Sequence, residues 1–443
     1  MRNSLHRQGM LLAQVAANTV VGYLFLRVLA AQFGVTAEKD GFDIAYSVPF
    51  IVLNLSGFAF IHAVVATQFA KTRATSPDKL QIVFSTTLTS MLAICAFLLA
   101  ACGMFSQQVI TILGPGLSPD VARQAQTLML WMLPLVLTLG LSAYFSAVLT
   151  AFDVPVTAEL CQIISRLGVG VCLFLVAGNL SLEHVALGLV CGSVGGLAIT
   201  WFIMLRVTQL RFRLQWSVKE PEFQTMLWQG GSFFLAALAA QLSMAYMRRL
   251  ATLDEVGTNA ALTYCLGLVT PVSVLIGKPI ALATGPNYSR LFAQGKWESV
   301  SEALRSCFLQ SLGVSVAIAC LISYFPCQIL SVFYGGGAFD SSAVTSMAAL
   351  CSGLAWSLPA ATVLWVILLP LLNLRSRILP AVIYIVGYAL QIVVTAFLFS
   401  SRGRHSLVLG YLCGINFQAV LATAVIGREL LLAKKRSLHE ACC

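Results

Sequence analysis

Long uninterrupted apolar runs dominate the hydropathy pattern of the chain. Each run reaches the roughly 20 residues that an α-helix needs to cross a hydrocarbon core about 30 Å thick. Period-two alternation is weak, and the runs are too long for the strands of an outer-membrane barrel. The pattern therefore predicts an all-α polytopic membrane protein with about twelve transmembrane helices, at 9–33, 43–67, 80–104, 124–151, 155–178, 184–206, 226–247, 259–285, 301–325, 342–371, 378–399 and 406–431.

The amino-acid composition excludes soluble and disordered proteins. Of the 443 residues, 58% are hydrophobic and only 10% are charged, and the mean hydropathy is +0.87. A soluble domain has roughly 45–50% apolar and about 25% charged residues, and disordered chains are far more polar. Since no soluble core could hide this apolar surplus, the chain is expected to lie in a membrane.

Lysine and arginine are distributed unequally between alternate loops. If the N-terminus is cytoplasmic, 17 of the 27 basic residues face the cytoplasm, 6 face the other side and the remaining 4 lie within predicted helices. This bias follows the positive-inside rule and predicts a multi-pass protein of the bacterial inner membrane with both termini cytoplasmic. Basic loops beside an anionic leaflet also explain the net charge of +10 without nucleic-acid binding.

The longest loop divides the predicted helices into two sets of six. We expect an N-lobe at 1–206 with helices 1–6, a basic cytoplasmic linker at 207–224, and a C-lobe at 225–443 with helices 7–12 and a short cytoplasmic tail. Alternating access rocks two such bundles against each other, so a central cavity is expected.

Within the sixth predicted helix, glycine recurs every four residues at Gly188, Gly192 and Gly196. This repeat favours close helix packing over a hinge.

No pattern of residues in the chain indicates catalysis. The five histidines are scattered, the acidic residues lie mostly in loops, and neither a nucleophilic triad nor a phosphate-binding glycine loop occurs. The 13 cysteines include no C-x-x-C pair and no Cys/His cluster, and a cysteine within a membrane helix acts as a small apolar residue. We therefore expect no enzyme activity, no cofactor and no metal.

Ionisable side chains within membrane helices cost roughly 2.5–3.5 kcal/mol each on insertion scales and usually mark functional sites. The sequence places Arg27 in the first predicted helix, Glu159 and Arg166 on one face of the fifth, and Lys278 beside Pro279 in the eighth. Arg27 could instead snorkel to the interface, and Glu159 and Arg166 could pair with other helices. Cations in a mostly apolar cavity suit an anionic amphiphile with a phosphate at its polar end.

Six short motifs follow one another in an order found in one family of membrane transporters. They are FGVTAEKDGFDIAYSVP (33–49), ILGPGL (112–117), LPLVLTLGLSAYFSAVLTAFDVP (133–155), ALTYCLGLVTPVSVLIGKPIALATGPNYSRLFAQGKW (261–297), VFYGGGAFD (332–340) and LLNLRSRILP (371–380). Over roughly residues 20–400 the chain thus resembles the MviN/MurJ family of lipid II flippases, within the multidrug/oligosaccharidyl-lipid/polysaccharide (MOP) exporter superfamily. In the first motif, Asp40 and Pro49 stand at matching places.

The resemblance implies a flippase that works by alternating access in the inner membrane. Its substrate would be a polyprenyl-diphosphate-linked saccharide, either lipid II or a related cell-envelope precursor. Arg27, Arg166 and Lys278 are the expected substrate-binding cations of the cavity, and Asp40 and Glu159 are candidates for coupling or gating. The implied partners are this substrate, membrane lipids and a coupling cation.

The chain departs from the family pattern at three arginines. Gly267, Leu53 and Gly336 stand where the family motifs carry arginine, and Lys278 is a cation that the family pattern lacks at that place. The family also commonly has fourteen spans, against the twelve predicted here. These departures favour a divergent relative that moves another polyprenyl-linked saccharide, such as an exopolysaccharide or O-antigen precursor.

Two other functions stay open at the level of the sequence. A cation-coupled multidrug antiporter of the same superfamily would use Glu159 and Asp43 as its acidic residues. A non-transporting membrane scaffold would carry the intramembrane charges for structural reasons only. Export of cationic drugs favours buried carboxylates, and Glu159 is the only deep one in the predicted helices, so the flippase hypothesis is preferred.

The predicted topology can be tested with reporter fusions. A reporter fused after Ser217 or at the C-terminus should report a cytoplasmic location, because an even number of predicted helices precedes each position. A reporter inserted near Gly336, after the ninth predicted helix, should report a periplasmic location. A periplasmic signal at the C-terminus would contradict the even number of helices.

Overall fold

Backbone amides and carbonyls inside a bilayer must find their hydrogen bonds within the chain, and apolar runs meet this requirement by forming helices. The computed structural model describes residues 2–442 except 57, 155–158, 177, 179, 295–296 and 373–377. Across these residues the chain is helical apart from turns, a non-helical segment after residue 208 and an isolated β-bridge between Gly336 and Phe339. The predicted all-α fold class is confirmed.

The helices fall into two compact units along the chain, Met1–Ala260 and Ala261–Cys443. The first unit contains α1 (Arg2–Phe33), α2 (Ala37–Leu55), α3 (Phe58–Thr75), α4 (Leu80–Met104), α5 (Ser106–Leu113), α6 (Pro119–Met132), α7 (Pro134–Ala151), α8 (Glu159–Leu175), α9 (Leu182–Thr208) and α10 (Pro221–Leu253). The chain then enters α11 (Thr258–Ala293), followed by α12 (Trp297–Tyr324), α13 (Pro326–Tyr334), α14 (Ser341–Ala355), α15 (Leu358–Leu372), α16 (Ile378–Arg402) and α17 (Arg404–Cys442).

Nine helical segments in the described part of the chain are long and apolar enough to cross a membrane. They coincide with nine of the twelve predicted helices. The stretch predicted at 43–67 is instead divided between α2 and α3, whereas 155–178 and 226–247 correspond to α8 and α10. The chain is therefore a multi-pass membrane protein, and the total of twelve crossings stays a prediction.

The boundary between the two compact units lies at Ala260, close to the start of α11. The linker predicted at 207–224 lies well within the first unit, because α10 beyond it packs on α2 and α3. The contacts within the chain group α10 with the helices that precede it. The division into two six-helix lobes at the linker stays a prediction.

Glycines allow α8 and α9 to approach each other closely. A Cβ on Gly168 of α8 would lie 2.2 Å from the carbonyl oxygen of Gly188, and one on Gly192 would lie 2.5 Å from that of Ile164. A Cβ on Gly196 would lie 2.8 Å from the Cα of Cys161. These distances leave no room for any side chain, so the close packing expected for this glycine repeat is confirmed.

The second unit is organised around apolar side chains of α15, α16 and α17. Its core consists of Ala360, Val363, Leu364, Ile367, Leu371, Ile383, Ala419, Ala422 and Ile426.

In α11 the helix continues through Pro271 and Pro279, so Gly267 and Lys278 belong to one uninterrupted helix. Eleven residues are about three turns, and these two positions therefore share a face.

The glycine contact predicts a position-specific loss of stability. Gly168→Ala should lower the free energy of unfolding by about 1–3 kcal/mol, because the new methyl group overpacks the α8–α9 interface. Gly170→Ala on the same helix should leave the stability unchanged or slightly raised, since a Cβ there meets nothing within 4 Å and alanine favours the helix. Thermal unfolding in detergent measures both effects, and equal stability of the two variants would contradict the interpretation.

Candidate functional site

The first turns of α2 carry charged side chains into the interior of the first unit. Thr36 caps this helix, since its side chain accepts a hydrogen bond from the Lys39 amide at 3.3 Å. Lys39, Asp40 and Asp43 are all buried. The sequence had suggested that residues 38–40 form a loop before the second span, but α2 already begins at Ala37. A helical start places Lys39 and Asp43 one turn apart on the same face.

Lys39 and Asp43 form a buried ion pair. The Lys39 Nζ lies 2.5 Å from Asp43 Oδ1, and the two side chains are 0% and 2% exposed. Burial lowers the pKa of Lys39, and the Asp43 carboxylate opposes this shift. The second oxygen of Asp43, Oδ2, is buried without a hydrogen-bond partner among the described residues. The pair is thus neutral in sum but keeps one acceptor atom free.

Asp40 caps the N-terminus of α11. Its Oδ2 accepts from the Gly257 amide and its Oδ1 from the Ala260 amide, each at 2.6 Å. The Asn259 side chain donates to the Asp40 carbonyl at 3.2 Å. A carboxylate at this place satisfies amides that have no partner inside the helix and interacts favourably with the helix dipole. Burial nevertheless raises the pKa of Asp40 to about 7, although both amides act to lower it.

The turn before α11 requires glycine at position 257. Gly257 has a φ of +88°, and a Cβ there would lie 2.4 Å from the side chain of Val35. Any other residue would be strained in this left-handed conformation and would push the turn away from α2. Gly257 therefore brings its own amide within reach of Asp40.

Arg248 adds a second cation to the charged residues of α2. Its Nη1 donates to Asn259 Oδ1 at 3.4 Å, and the guanidinium is close enough to Asp43 for the two charges to attract. The end of α10 is fixed on the last turn of α5, where Arg249 donates to the Ile112 carbonyl at 2.9 Å. These contacts hold Arg248 beside Asp43 even though 205 positions separate the two residues in the sequence.

Arg166 of α8 contacts Tyr46, which lies three residues beyond Asp43 on α2. Its Nη1 donates to the side-chain oxygen of Asn18 at 2.7 Å and to the Asn18 carbonyl at 3.1 Å. Asn18 in turn donates to Gln162 at 3.3 Å, and the Tyr46 hydroxyl interacts with Arg166. We call these connected residues of the first unit the charge cluster, which consists of Lys39, Asp40, Asp43, Tyr46, Arg166 and Arg248.

The structure brings together two of the five predicted site residues, Asp40 and Arg166. Arg27 is exposed on α1 and lies away from the face that meets α2 and α8. That face carries Asn18 and Phe25, whose ring lies 6.4 Å from the Tyr46 ring. Arg27 follows Phe25 by two residues, about 200° around the helix, so it points away from the charge cluster.

The remaining two predicted residues are half-buried. Glu159 is the first described residue of α8 and precedes Arg166 by seven residues, which is about 10 Å along one helix face. Lys278 lies in the second unit, where the preceding Gly277 packs so tightly that a Cβ would lie 2.5 Å from the Trp365 side chain. The functional roles of all five predicted site residues stay predictions.

The hydropathy pattern does not identify Lys39 and Arg248 as members of the site, because both lie between predicted helices, among the six cations assigned to the side opposite the cytoplasm. The four-residue spacing between Lys39 and Asp43 was the available signal, since it is typical of a helical ion pair. Nothing in the sequence connects Arg248 with α2. Among the described residues, no group of three histidine, cysteine or acidic side chains could hold a metal ion.

The architecture matches solved transporters over nearly the whole chain. A lipid II flippase MurJ in an inward closed conformation superposes with a TM-score of 0.77 at 16% identity, covering 97% of this chain and 90% of the other. An inward-facing multidrug resistance MATE transporter of the MOP superfamily gives a TM-score of 0.78 at 11% identity, covering 95% and 99%. The chain therefore has the fold of a multi-pass transporter of the MOP type.

The family model described as lipid II flippase MurJ matches residues 29–442. The chain thus belongs to the lipid II flippase MurJ family, as its motifs had suggested. A probable lipid II flippase MurJ of Synechocystis sp. (strain ATCC 27184 / PCC 6803 / Kazusa) is 24% identical over 353 residues, which cover 74% of this chain. The match spans 64% of that relative's length.

The buried ion pair predicts strongly coupled substitutions. Asp43→Asn should destabilise the protein by about 3–5 kcal/mol, because it leaves the Lys39 ammonium buried without its counterion. Lys39→Met should be similarly damaging, and the double variant should be more stable than either single variant. Thermal unfolding in detergent provides the measurement for this cycle.

The exposed pair between Asp120 and Arg123 is the matched control for this cycle. Asp120→Asn should change the stability little, because solvent-exposed ion pairs contribute little. Additive losses in the Lys39/Asp43 cycle would contradict the coupling.

Proposed function

We propose that the protein is a flippase that moves a polyprenyl-diphosphate-linked saccharide across the bacterial inner membrane by alternating access. Family membership supports this class of activity, and the inner membrane is the corresponding location. Both termini would lie in the cytoplasm, and the chain would act as a transporter without catalysing a reaction. The partners would be lipid II or a related cell-envelope precursor, together with membrane lipids.

The charge cluster supports an anionic substrate. It contains three cations, Lys39, Arg166 and Arg248, but only two carboxylates. Lys39 and Arg248 are close to Asp43, whereas the hydrogen bonds of Arg166 in the described part of the chain go to neutral groups, those of Asn18 and the Tyr46 hydroxyl. Among the residues that the structure describes, no carboxylate forms an ion pair with this guanidinium. A diphosphate could bind such a guanidinium through charge-assisted hydrogen bonds.

The alternative function, a cation-coupled multidrug antiporter, receives support from the MATE structures that share the fold. A cationic drug needs a carboxylate that is free to accept it. In this protein Asp40 already binds two backbone amides and Asp43 binds Lys39. Asp43 keeps one oxygen without a hydrogen-bond partner in the described part of the chain, but Lys39 already balances its charge. These two carboxylates therefore favour the flippase, and an antiporter would use Glu159 and Asp43 as its acidic residues.

Asp40 is the residue that we propose for gating. Its carboxylate caps α11, which continues from the first compact unit into the second. Release of this cap would free the first turn of α11 and expose its unpaired amides. Because the pKa of Asp40 lies at about 7, protonation near neutral pH would weaken the cap and make gating sensitive to a proton.

Complementation of a strain depleted of its lipid II flippase tests the proposed substrate. Growth would establish lipid II as a substrate, whereas failure with normal expression would direct attention to another polyprenyl-linked saccharide. Flipping of a fluorescent polyprenyl-diphosphate saccharide in proteoliposomes then measures transport directly. Export of a cationic dye without any lipid flipping would favour the antiporter.

Arg166 and Lys278 should respond to substitution as binding cations. Arg166→Ala is expected to reduce flipping roughly tenfold to hundredfold, the range for loss of a hydrogen bond to a charged group. Arg166→Lys should retain part of the rate, and Lys278→Ala and Lys278→Arg should behave in the same way. Arg428→Ala, which removes an exposed cation of α17, is the matched control. Normal flipping by folded Arg166→Ala would refute a substrate-binding role.

A further inference from the structure

The segment between α9 and α10 has an unusual surface. This segment, residues 209–220, is called the linker loop, and residues 209–217 are neither helix nor strand. Every second side chain from 212 to 218 is apolar and exposed, with Leu214 at 85% and Trp216 at 64%. Water would penalise this exposure, whereas a lipid environment would favour it. The exposed apolar side chains are Phe212, Leu214, Trp216 and Val218.

Polar side chains of α4 hold the linker loop along this helix. Gln81 bonds both backbone groups of Arg211, donating to its carbonyl at 2.5 Å and accepting from its amide at 3.2 Å. Further along, the Ser217 amide donates to the Thr86 hydroxyl at 3.3 Å. Irregular backbone beside a membrane helix is tolerated when protein groups satisfy it. These bonds therefore allow the loop to follow α4 below the membrane surface.

The tip of the linker loop reaches far along α4. Leu214, Gln215 and Trp216 enclose an apolar groove of about 600 Å³ with Thr89, Leu92 and Ala93. From Gln81 to Ala93 the helix rises about 18 Å, which exceeds half of a hydrocarbon core about 30 Å thick. Since α4 is among the helices long and apolar enough to cross a membrane, the groove at Thr89, Leu92 and Ala93 would lie toward the bilayer centre.

Exposed cations precede and follow the apolar tip of the linker loop in the sequence. Arg211, Arg213 and Lys219 are exposed, and their side chains have neither a hydrogen bond nor an ion pair in the described part of the chain. Lys79 differs, because it contacts Glu220 and Glu222 at 3.4 and 3.3 Å. Arg211 is held at the level of Gln81, near the start of α4. The loop thus places the positive charge of Arg211 near the start of α4 and the apolar side chains of Leu214 and Trp216 further along that helix.

We propose that the linker loop and α4 bind an anionic phospholipid of the adjacent leaflet. The phosphate would lie beside Arg211 and Arg213, and one acyl chain would occupy the groove between Leu92, Ala93 and the loop tip. A bilayer phospholipid fits this surface, because the groove accepts a single hydrocarbon chain and exposed cations lie on the same loop. Its binding would be independent of which lipid-linked saccharide the protein transports.

Native mass spectrometry with defined lipids tests the charge requirement. The purified full-length protein should retain phosphatidylglycerol in preference to phosphatidylcholine. The double variant Arg211→Gln/Arg213→Gln should lose this preference by about thirty-fold, as expected for two cations beside an anionic headgroup. The matched control Lys71→Gln/Arg428→Gln removes the same charge from two exposed cations of α3 and α17 and should keep the preference. Equal losses in both double variants, or no preference in the parent protein, would overturn the proposal.

Photocrosslinking identifies what covers the loop tip. With p-benzoylphenylalanine in place of Leu214, the protein in nanodiscs of phosphatidylglycerol and phosphatidylcholine should form adducts enriched in phosphatidylglycerol. The probe at Val256, an exposed apolar position after α10, should not show this enrichment. Adducts from position 214 that contain only peptides would show that protein covers the loop tip. A fluorescent polyprenyl-diphosphate saccharide is then added, and adducts with it in place of phospholipid would assign the groove to the substrate. Peptide-only adducts and saccharide adducts would each overturn the proposal.

Discussion

The burial of ionised groups at the start of α2 is the constraint on which the first unit depends. An unpaired charge in an apolar interior costs several kcal/mol, so each member of this group needs a partner fixed by another part of the fold. Asp43 neutralises Lys39 within the helix, whereas Asp40 finds its donors at Gly257 and Ala260. The latter contact links α2 to the first turn of α11, more than 200 positions later. Helix α11 then continues into the second unit.

The sequence could predict the helices because the physical cause of a membrane helix is local. An apolar run must satisfy its own backbone, and nine of the predicted helices recur as segments able to cross a membrane. The charge cluster was only partly predictable, because its cause is not local. Hydropathy assigns Lys39 and Arg248 to loops, because burying a single unpaired cation is unfavourable. It cannot show that Asp43 and Asn259 serve as their partners in the folded protein. Asp40 was identified from its motif, but its role as a cap required the turn at Gly257.

The different positions of Arg27 and Arg166 show how helix rotation determines the role of an intramembrane charge. Both were predicted from the same observation, a cation inside an apolar run. Asn18 on α1 faces Arg166 and binds it, while Arg27 lies on the opposite side of the same helix, exposed. Composition and spacing cannot distinguish the two cases, since the direction in which α1 faces depends on its packing against α8. A guanidinium held by neutral amide groups keeps its affinity for anions. Among the members of the charge cluster, Arg166 therefore favours a phosphate-containing substrate most directly.

The linker loop and the charge cluster both combine charged side chains with apolar surroundings, but they place the charges differently. In the cluster, charged side chains enter the interior and the fold supplies counterions and helix amides. In the linker loop, the cations stay at the surface, while Gln81 and Thr86 of α4 supply hydrogen bonds to the loop backbone. The basic residues of the loop predict that it lies on the cytoplasmic side, but they say nothing about its apolar residues. An exposed apolar side chain that does not pack on protein is stable only in contact with hydrocarbon, and this requirement applies to the alternating apolar residues of the loop. Burial of that apolar surface, together with the flanking cations, is what makes an anionic lipid the fitting ligand.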